Sequence, residues 1–459
     1  MASKSKIIAE LFDADGDVVS AALDNVIVTP AAVSDQANTS TGAFDIPSGT
    51  TAQRPVSPSA GYIRFNTTTD STEIYDGTIW GKVSPLTPTL SSVTGTVFNG
   101  IAANVTLAGT NFLQTNLTVS FTPSGGSAST VTVTPSSQTA ATVAVPSEIY
   151  GQSGGTAISV TVTNNDNRTS NAESFNITSL PTGGDHVFSQ GSARVHIFKN
   201  SADFVVPSGV TLSNIEYVII AGGGGAPENG GGGGAGGYRS SVVGQQSGFS
   251  GSGPSSAESR FSSMTAATYA VVVGAGGNGQ ANGGNSSFNS ITSLGGGYAG
   301  AVSGGYPAVS GGSGGGGRGY ASITGGAGTA GQGGSGGNGY GGNAQGYSGG
   351  GGGGAGANGA TANSSGGGVG GAGLISTVIT SANSTTYSVG EVDGSNVHLA
   401  SGGNGNGAGT VPWGTATALL GGGGNHSSNG QDYTGGGAGA GTGVQTGGKG
   451  VVIVRYVLA

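Results

Sequence analysis

Cysteine is absent from this chain of 459 residues, and charged side chains make up only 7% of it. Without cysteine the chain can form neither disulfide bonds nor a thiolate metal site. Acidic residues outnumber basic ones, 21 to 13, so the formal net charge is −8. Nucleic-acid binding is therefore not indicated, because a patch of lysine and arginine would have to supply the affinity.

Long apolar runs are also missing. Hydrophobic residues form 34% of the chain, and much of that share is alanine. We therefore expect no large hydrophobic core. No run approaches the length of a membrane-spanning helix. The segment that follows residues 1–6 is too short and too polar for a signal peptide, which predicts a protein made in the cytoplasm and not exported by that route.

Catalytic motifs occur only where abundant glycine and serine produce them by chance. GAGGNG at 274–279 matches the dinucleotide pattern GxGxxG, but residues 280–285 cannot form the helix that such a site needs. The four histidines share no metal-ligand spacing, and GGSGG at 311–315 lies on no strand-to-helix elbow. Glu391 and Asp393, the one close carboxylate pair of the second half, are predicted to lie on a solvated loop. We expect no enzymatic activity and no cofactor.

An acidic turn near the N-terminus predicts at most a weak metal site. Asp13, Asp15 and Asp17 stand at alternate positions, where a hard cation such as calcium takes oxygen ligands. However, Gly16 is at the fourth place and not the sixth, and Asp24 is too short for the usual bidentate glutamate. An ordinary solvated turn is the favoured interpretation.

Glycine is the most abundant residue of the chain. Residues 222–448 hold 81 of the 100 glycines and only eight charged side chains. Glycine loses the most backbone entropy on ordering and buries no side chain, so disorder is the default for this composition. Strand-like runs at 216–220, 269–273 and 451–456 argue against disorder. The first and the last of these bracket the glycines, and we expect them to meet.

The glycine tracts themselves predict an ordered stack. They are short and are spaced by Asn, Ser, Ala and Tyr, unlike the monotony of a flexible linker. A polyproline II strand has three residues per turn and no internal hydrogen bonds. Bare glycine backbones packed side by side can satisfy one another's N–H and C=O groups. Since the strict Gly-X-Y period of collagen is missing, we predict polyglycine II strands folded from a single chain.

Residues 44–84 predict an extended arm followed by hairpins. TTAQRP at 50–55 precedes GYIRFNT at 61–67 and EIYDGTIWGKV at 73–83, which indicates alternating strands and a turn at Asp76-Gly77. The pattern resembles a module that recurs in fibre and virion proteins of tailed phages, where hairpins from three chains pack around an axis. The resemblance implies a homotrimer in which residues 1–43 serve for attachment to other virion proteins and for oligomerisation.

Residues 85–181 carry seven short alternating segments, the number of strands in an immunoglobulin-like sandwich. VTLAGTNF at 105–112 resembles the signature of the IPT/TIG family, whose members serve as spacers and binding modules in surface proteins. The resemblance implies a stalk segment. The predicted strands cover residues 89–93, 104–108, 117–121, 130–134, 141–145, 157–162 and 174–177.

Residues 182–459 form the predicted head. Segments 194–198 and 203–207 are expected to pair as a hairpin. YVIIAGGGG at 217–225 and GGKGVVIVRY at 447–456 resemble the frame of the glycine-rich domain at the tips of phage tail proteins. They are similar, more loosely, to the distal adhesins of T-even-like phages, in which a polyglycine II stack displays receptor-binding loops. The predicted fold is all-β, with arm and hairpins, sandwich and glycine-rich head in chain order.

These resemblances imply a phage virion fibre protein of the tail or capsid. Its head would bind a glycan or an outer-membrane protein of the host surface without covalent chemistry, and neither nucleic-acid binding nor membrane insertion is expected. Two alternatives stay open. One is a capsid, neck or tail decoration fibre with a structural role only, and the other is a cellular surface adhesin.

Amphipathic side chains that punctuate the glycine tracts are the candidates for receptor contact. Large rings on a rigid support provide contact area at low entropy cost, and they stack on sugars. The same rings could equally cover the sides of the stack. The loops at 376–396 and 410–420 form a second set. The single-residue candidates are Tyr298, Tyr306, Arg318, Tyr320, Tyr340, Tyr347, Trp413 and Tyr433.

Overall fold

A computed structural model describes residues 46–83, 86–113, 116–243, 257–320, 324–341, 347–407 and 420–458. The chain divides into two compact units, Met1–Leu86 and Thr87–Ala459. The protein is all-β, as predicted. The predicted attachment segment 1–43, with Asp13, Asp15 and Asp17, lies outside the described residues.

The described part of the first unit is a small four-stranded sheet in the order β1-β2-β3-β4. The predicted strands and both turns are present, and β1 adds a short parallel pairing to β2 that the sequence did not indicate. A 3-10 turn, Thr51–Gln53, follows β1. The strands are β1 (Ser48–Gly49), β2 (Ile63–Asn66), β3 (Ser71–Tyr75) and β4 (Trp80–Lys82).

The buried side chains of this sheet are polar. Among residues 46–83 only Arg64, Asn66, Ser71 and Glu73 are buried. Glu73 accepts hydrogen bonds from the arm residue Arg54 at 2.6 Å and from the Asn66 amide at 2.9 Å. Buried charges persist only when they are paired in this way.

All seven predicted strands of the following segment are present and form two sheets around one apolar core. The sheets run β5-β6-β9 and β11-β10-β7-β8, and Leu107, Phe121 and Val160 are among the fully buried core residues. Membership of the IPT/TIG family stays a prediction. The elements are β5 (Thr89–Thr94), β6 (Asn104–Thr110), β7 (Leu117–Pro123), β8 (Ser129–Val133), β9 (Ala140–Ala144), helix α1 (Ser147–Tyr150), β10 (Ala157–Thr163) and β11 (Glu173–Asn176).

The remaining elements belong to the glycine-rich part of the chain. They are β12 (His186–Gln190), β13 (Ala193–Phe198), β14 (Ala202–Val206), β15 (Leu212–Ile220), β16 (Tyr238–Ser240), β17 (Phe261–Met264), β18 (Ala267–Val272), β19 (Ser286–Phe288), β20 (Ile291–Ser293), a 3-10 turn (Ser303–Gly305), β21 (Tyr340–Gly341), β22 (Tyr347–Ser348), β23 (Leu374–Ser376), helix α2 (Ser381–Tyr387), β24 (Glu391–Asp393), β25 (Asn396–Leu399) and β26 (Val451–Val457).

The two strands that bracket the glycines meet, as predicted. In the sheet β12-β13-β26-β15-β16, here called the framing sheet, β26 lies between β13 and β15. Ile220 pairs with Val451, so the chain enters and leaves the glycine tracts at adjacent points. The predicted hairpin of 194–198 with 203–207 was wrong. Strand β13 pairs with β12 and β26, whereas β14 joins β18 in a second sheet, because both faces of the framing sheet need apolar cover.

The framing sheet separates two apolar clusters. On one face Tyr217 and Ile219 pack with Phe204 and Phe288 of the β14-β18-β19-β20 sheet. On the other face Val218, Ile220 and Ile453 pack against Ala235, Ala355 and residues of the β23–α2 region. Alternation along β15 therefore joins a conventional core to the first layer of the glycine-rich stack.

The glycine tracts form a polyglycine II stack, and the hydrogen-bond register proves its three-residue period. In the strand at 230–237, here called the central strand, successive N–H groups donate to three neighbouring strands in rotation. No residue of the central strand has a positive φ, as in left-handed polyproline II geometry. The donations are Gly231 to Gly300, Gly232 to Gly350, Gly233 to Ala438, Gly234 to Gly297, Ala235 to Gly353, Gly236 to Gly435 and Gly237 to Leu294.

The carbonyl groups of the central strand accept from three further strands. Ala221 and Gly224 donate to it from one side, Ser313 and Gly316 from a second, and Gly403 and Asn406 from a third. The central strand thus has six neighbours in hexagonal packing, five antiparallel and one parallel. A side chain at most of its positions would collide with a neighbouring backbone: a Cβ on Gly232 would meet the carbonyl oxygen of Gly403.

Helices contribute little. Among the described residues none is long and apolar enough to span a membrane, and α2, the longer of the two, has seven residues. Thr380 caps α2 by accepting a hydrogen bond from the backbone N–H of Asn383.

Replacement of Gly232 by alanine should destabilise the stack. The methyl group has no space beside Gly403, so the strands must separate and lose hydrogen bonds, at a cost of about 1–3 kcal/mol or more. Gly443→Ala is the matched control, because its nearest neighbouring atom would be 3.7 Å away. Urea denaturation compares the two; equal midpoints for both variants would contradict the packing described.

Acid should weaken the framing sheet through His196. This fully buried residue bonds the Gly183 carbonyl through Nδ1 at 2.7 Å and the Tyr456 hydroxyl through Nε2 at 2.9 Å. Burial lowers the pKa of His196 to about 4. The unfolded imidazole takes up its proton near pH 6.5, so the stabilisation is complete above that pH and is lost as the pH falls towards 4.

The loss amounts to on the order of 3 kcal/mol. Urea midpoints measured between pH 8 and pH 4.5 should therefore fall more steeply for the native protein than for His196→Gln, although that variant is less stable at pH 8. Parallel pH profiles of the two proteins would show that His196 does not titrate in this way.

Candidate functional site

The hydrogen-bond register shows where the two ends of the glycine stack lie. Gly237 accepts from Ala221, the residue that follows β15, so this end of the central strand lies at the framing sheet. Gly230 at the other end accepts from Asn406. The same register brings several turns and strand ends to that opposite end. We call this the distal face, and it comprises residues 227–229, 301–306, 318–320, 340–341, 347–348 and 441–444.

Three of the candidate tyrosines lie together on the distal face. The rings of Tyr320 and Tyr347 meet edge to face with their centroids 5.0 Å apart. Tyr340 stands on β21, whose partner β22 begins at Tyr347. Tyr320 and Tyr340 are exposed, at 57% and 38%. The distal face therefore presents a ring surface to solvent.

Tyr320 has an unusual backbone. Its φ is +71°, in the left-handed region that a bulky residue rarely adopts. Such a conformation costs on the order of 1–3 kcal/mol and persists only where the surrounding structure holds it. Here the preceding residue, Gly319, packs against Tyr347 and leaves no room for a Cβ. In this conformation the Tyr320 ring is exposed and lies beside that of Tyr347.

Arg318, two residues before Tyr320, is buried, with 6% of its surface exposed. Its Nη1 donates to the carbonyl oxygen of Ala301 at 3.0 Å, and its buried Nε has no hydrogen-bond partner. Gly305 stands against the same guanidinium. Arg318 thus braces the turn that presents Tyr306, which is 46% exposed.

Two candidates lie elsewhere. Tyr298 is half-buried on the side of the stack, where its backbone N–H donates to Asn282 Oδ1. Tyr433 lies near the framing sheet, packs against its core and carries Lys199 Nζ 4.2 Å above its ring. These two fit the alternative in which tyrosine covers the stack. Trp413 lies outside the described residues.

The segment 376–396 is a folded element at the framing-sheet end. It contains α2 and β24, and its two ends lie in β23 and β25. Val378, Ile379 and Val389 are buried in the framing-sheet core. Most of the loop at 410–420 lies outside the described residues. This packing could not be predicted from the sequence, because the apolar residues of 376–396 are few and show no clear period.

Glu391 is a structural residue, and the prediction that it belongs to a solvated loop was wrong. Its Oε2 accepts hydrogen bonds from the backbone N–H groups of Gly421 at 2.8 Å and Gly422 at 3.0 Å. Both glycines have positive φ, 117° and 84°. The carboxylate therefore holds the turn that returns the chain to the stack.

One exposed apolar residue of the distal face could not be predicted from the sequence. Val444, in the turn at 441–444, is 59% exposed, and a lone valine among glycine and threonine could not be singled out from the sequence. It lies near Gly279, at the same end of the stack as the tyrosines. Among the described residues no group of three or more His, Asp or Glu is placed to bind a metal ion.

The distal face offers ring surfaces and glycine turns on a rigid support. A comparison with the curated proteins found no match. A family model described as a glycine-rich domain matches residues 198–457, more than half of the chain. The matched span begins at the end of β13 and ends in β26, so it takes in both framing strands and the whole stack. The chain therefore belongs to the glycine-rich domain family.

Proposed function

We propose that this protein is a structural fibre protein of a tailed-phage virion and that its distal face binds the host cell surface. The observation that carries the proposal is the position of Tyr306, Tyr320, Tyr340 and Tyr347. All four lie at the end of the stack away from the framing sheet. Loops on a rigid scaffold are a common location for recognition residues.

The chemistry of the distal face suits a glycan or the external loops of an outer-membrane protein. Tyrosine offers a large amphipathic ring whose immobilisation costs little entropy. The Arg318 guanidinium braces the turn that carries Tyr306, and the Tyr320 ring packs against that of Tyr347, before any ligand arrives. A preorganised surface loses less entropy on binding than a flexible one.

Assembly would raise the strength of attachment. We propose that the chain forms a homotrimer, that residues 1–43 attach it to other virion proteins, and that each virion carries several copies. Linked copies bind far more tightly than one copy because the second contact becomes intramolecular. A weak individual contact at each distal face is then sufficient.

Cell binding by the purified full-length chain tests the proposal. Replacing Tyr306 and Tyr340 together by serine should weaken binding at least about tenfold, since buried aromatic anchors dominate binding energies. Val457→Ser is the control, because Val457 is an exposed apolar residue of the framing sheet.

Binding is measured by flow cytometry with labelled protein, and unchanged circular dichroism spectra confirm folding. If the double variant binds as well as the control, the distal face is not the contact surface. If the native chain shows no saturable binding and does not block adsorption, the role as a decoration fibre takes the place of this proposal.

A further inference from the structure

Arg318 is a buried cation that pairs with no carboxylate among the described residues. Six of the eight arginines of the chain form an ion pair, and Arg194, the other exception, is only half-buried. Arg318 is 6% exposed. Arginine keeps its charge in proteins, and a buried charge is costly unless it is paired. This position therefore favours an anionic partner.

The unit Thr87–Ala459 does not supply that partner. All eleven acidic side chains of this unit belong to described residues, and none of them pairs with Arg318. Glu228, the one acidic residue of the distal face, instead accepts a hydrogen bond from the Asn229 amide at 3.3 Å. The C-terminus follows β26, at the framing sheet. An anion that pairs with Arg318 has to come from outside this unit.

The guanidinium has donors to offer such an anion. Nη1 donates to the carbonyl oxygen of Ala301 at 3.0 Å, the one hydrogen bond that Arg318 makes with its side chain to the described residues. Nε is buried without a partner. A guanidinium carries its N–H groups as a planar fork, which matches two oxygens of a carboxylate or a phosphate group. Most of this fork is available for an oxyanion.

An exposed glycine turn lies over the guanidinium. A Cβ on Gly305 would stand 3.2 Å from Nη1 of Arg318, so the backbone of this turn lies directly against the charge. Gly304 and Gly305 have positive φ, 78° and 76°, and no side chain of theirs restrains the turn. An anionic group can therefore reach Arg318 by displacing a turn that consists of backbone alone at these two positions.

The neighbouring rings indicate what carries the anion. Tyr306 directly follows Gly305 and is 46% exposed, and Tyr320 lies two residues after Arg318 and is 57% exposed. A tyrosine ring has an apolar body and a polar tip, which suits the mixed C–H and hydroxyl surface of a sugar. An acidic sugar can place its ring against a tyrosine and its charge on the guanidinium.

We propose that Arg318 binds the carboxylate or phosphate group of an acidic sugar on the host surface, and that Tyr306 and Tyr320 contact the sugar ring. The inference rests on the proposed function and names the class of ligand for the distal face. Neutral glycans are disfavoured, because they leave the buried charge of Arg318 unpaired.

Saturation-transfer NMR on the native full-length chain is the first test. The probes share one ring: methyl β-D-glucoside, its uronic acid and its phosphate ester. At least one charged probe should receive at least about fivefold more saturation than the neutral one, because charge-assisted hydrogen bonds are stronger than neutral ones. The stronger of the two charged probes identifies the anion as carboxylate or phosphate. Equal saturation of all three probes, or none, overturns the inference.

A matched pair of variants is the second test. Arg318→Gln removes the charge and keeps an N–H donor for Ala301. Arg194→Gln is the control, because Arg194 also has a buried Nε without a partner but lies in β13 of the framing sheet. Arg318→Gln should lose the preference for the charged probe, whereas Arg194→Gln should retain it. A preference that survives in Arg318→Gln contradicts the inference, and if that variant does not fold, the result with the native chain decides.

Cell binding with the same probes as competitors separates this inference from the proposed function. Saturable binding to host cells that no probe reduces, together with equal saturation of the probes, leaves the proposed function standing and rejects the anion site. Absence of cell binding, with a charged-probe preference that depends on Arg318, gives the reverse result.

Discussion

Backbone hydrogen bonds that rotate through three directions are the interaction on which the glycine-rich domain depends. In an ordinary sheet a strand has two neighbours, whereas the central strand at 230–237 has six. Its N–H and C=O groups are nearly all paired with backbone groups of the neighbouring strands, so backbone contacts hold the interior of the stack together without apolar side chains. The same contacts explain the composition, since a Cβ at Gly232 or Gly236 would occupy the position of a neighbouring carbonyl group.

Such a stack needs a place to begin and a place to end. The framing sheet supplies the first, because Val218, Ile220 and Ile453 pack against the alanines Ala235 and Ala355. The second is the distal face, where the strands turn and side chains are free to project. Hydrogen-bonded strands run between the two ends, and at the distal face the rings of Tyr320 and Tyr347 pack edge to face.

The N-terminal sheet has its charged and apolar side chains in the opposite arrangement to an ordinary folded domain. Its charged side chains are inside, around Glu73, and its apolar side chains, such as Ile63 and Ile74, are outside. The glycine stack pairs its own backbone groups, whereas this sheet buries a charged network and leaves apolar side chains exposed. The two parts of the chain are therefore built on opposite arrangements of polar and apolar groups.

Local pattern and composition predicted the alternating strands of the N-terminal sheet and the sandwich, and the polyglycine II strands, because these depend mainly on the conformations that short stretches of sequence favour. The meeting of 216–220 with 451–456 was predicted from their places on either side of the glycine tracts. Only the tertiary structure decided which strand each glycine contacts, that β14 leaves β13 for another sheet, and that Tyr433 lies at the framing sheet while Tyr306 and Tyr320 lie at the distal face. Glycine strands have no side chains to encode their neighbours, so the order of the stack follows from the whole chain closing on itself.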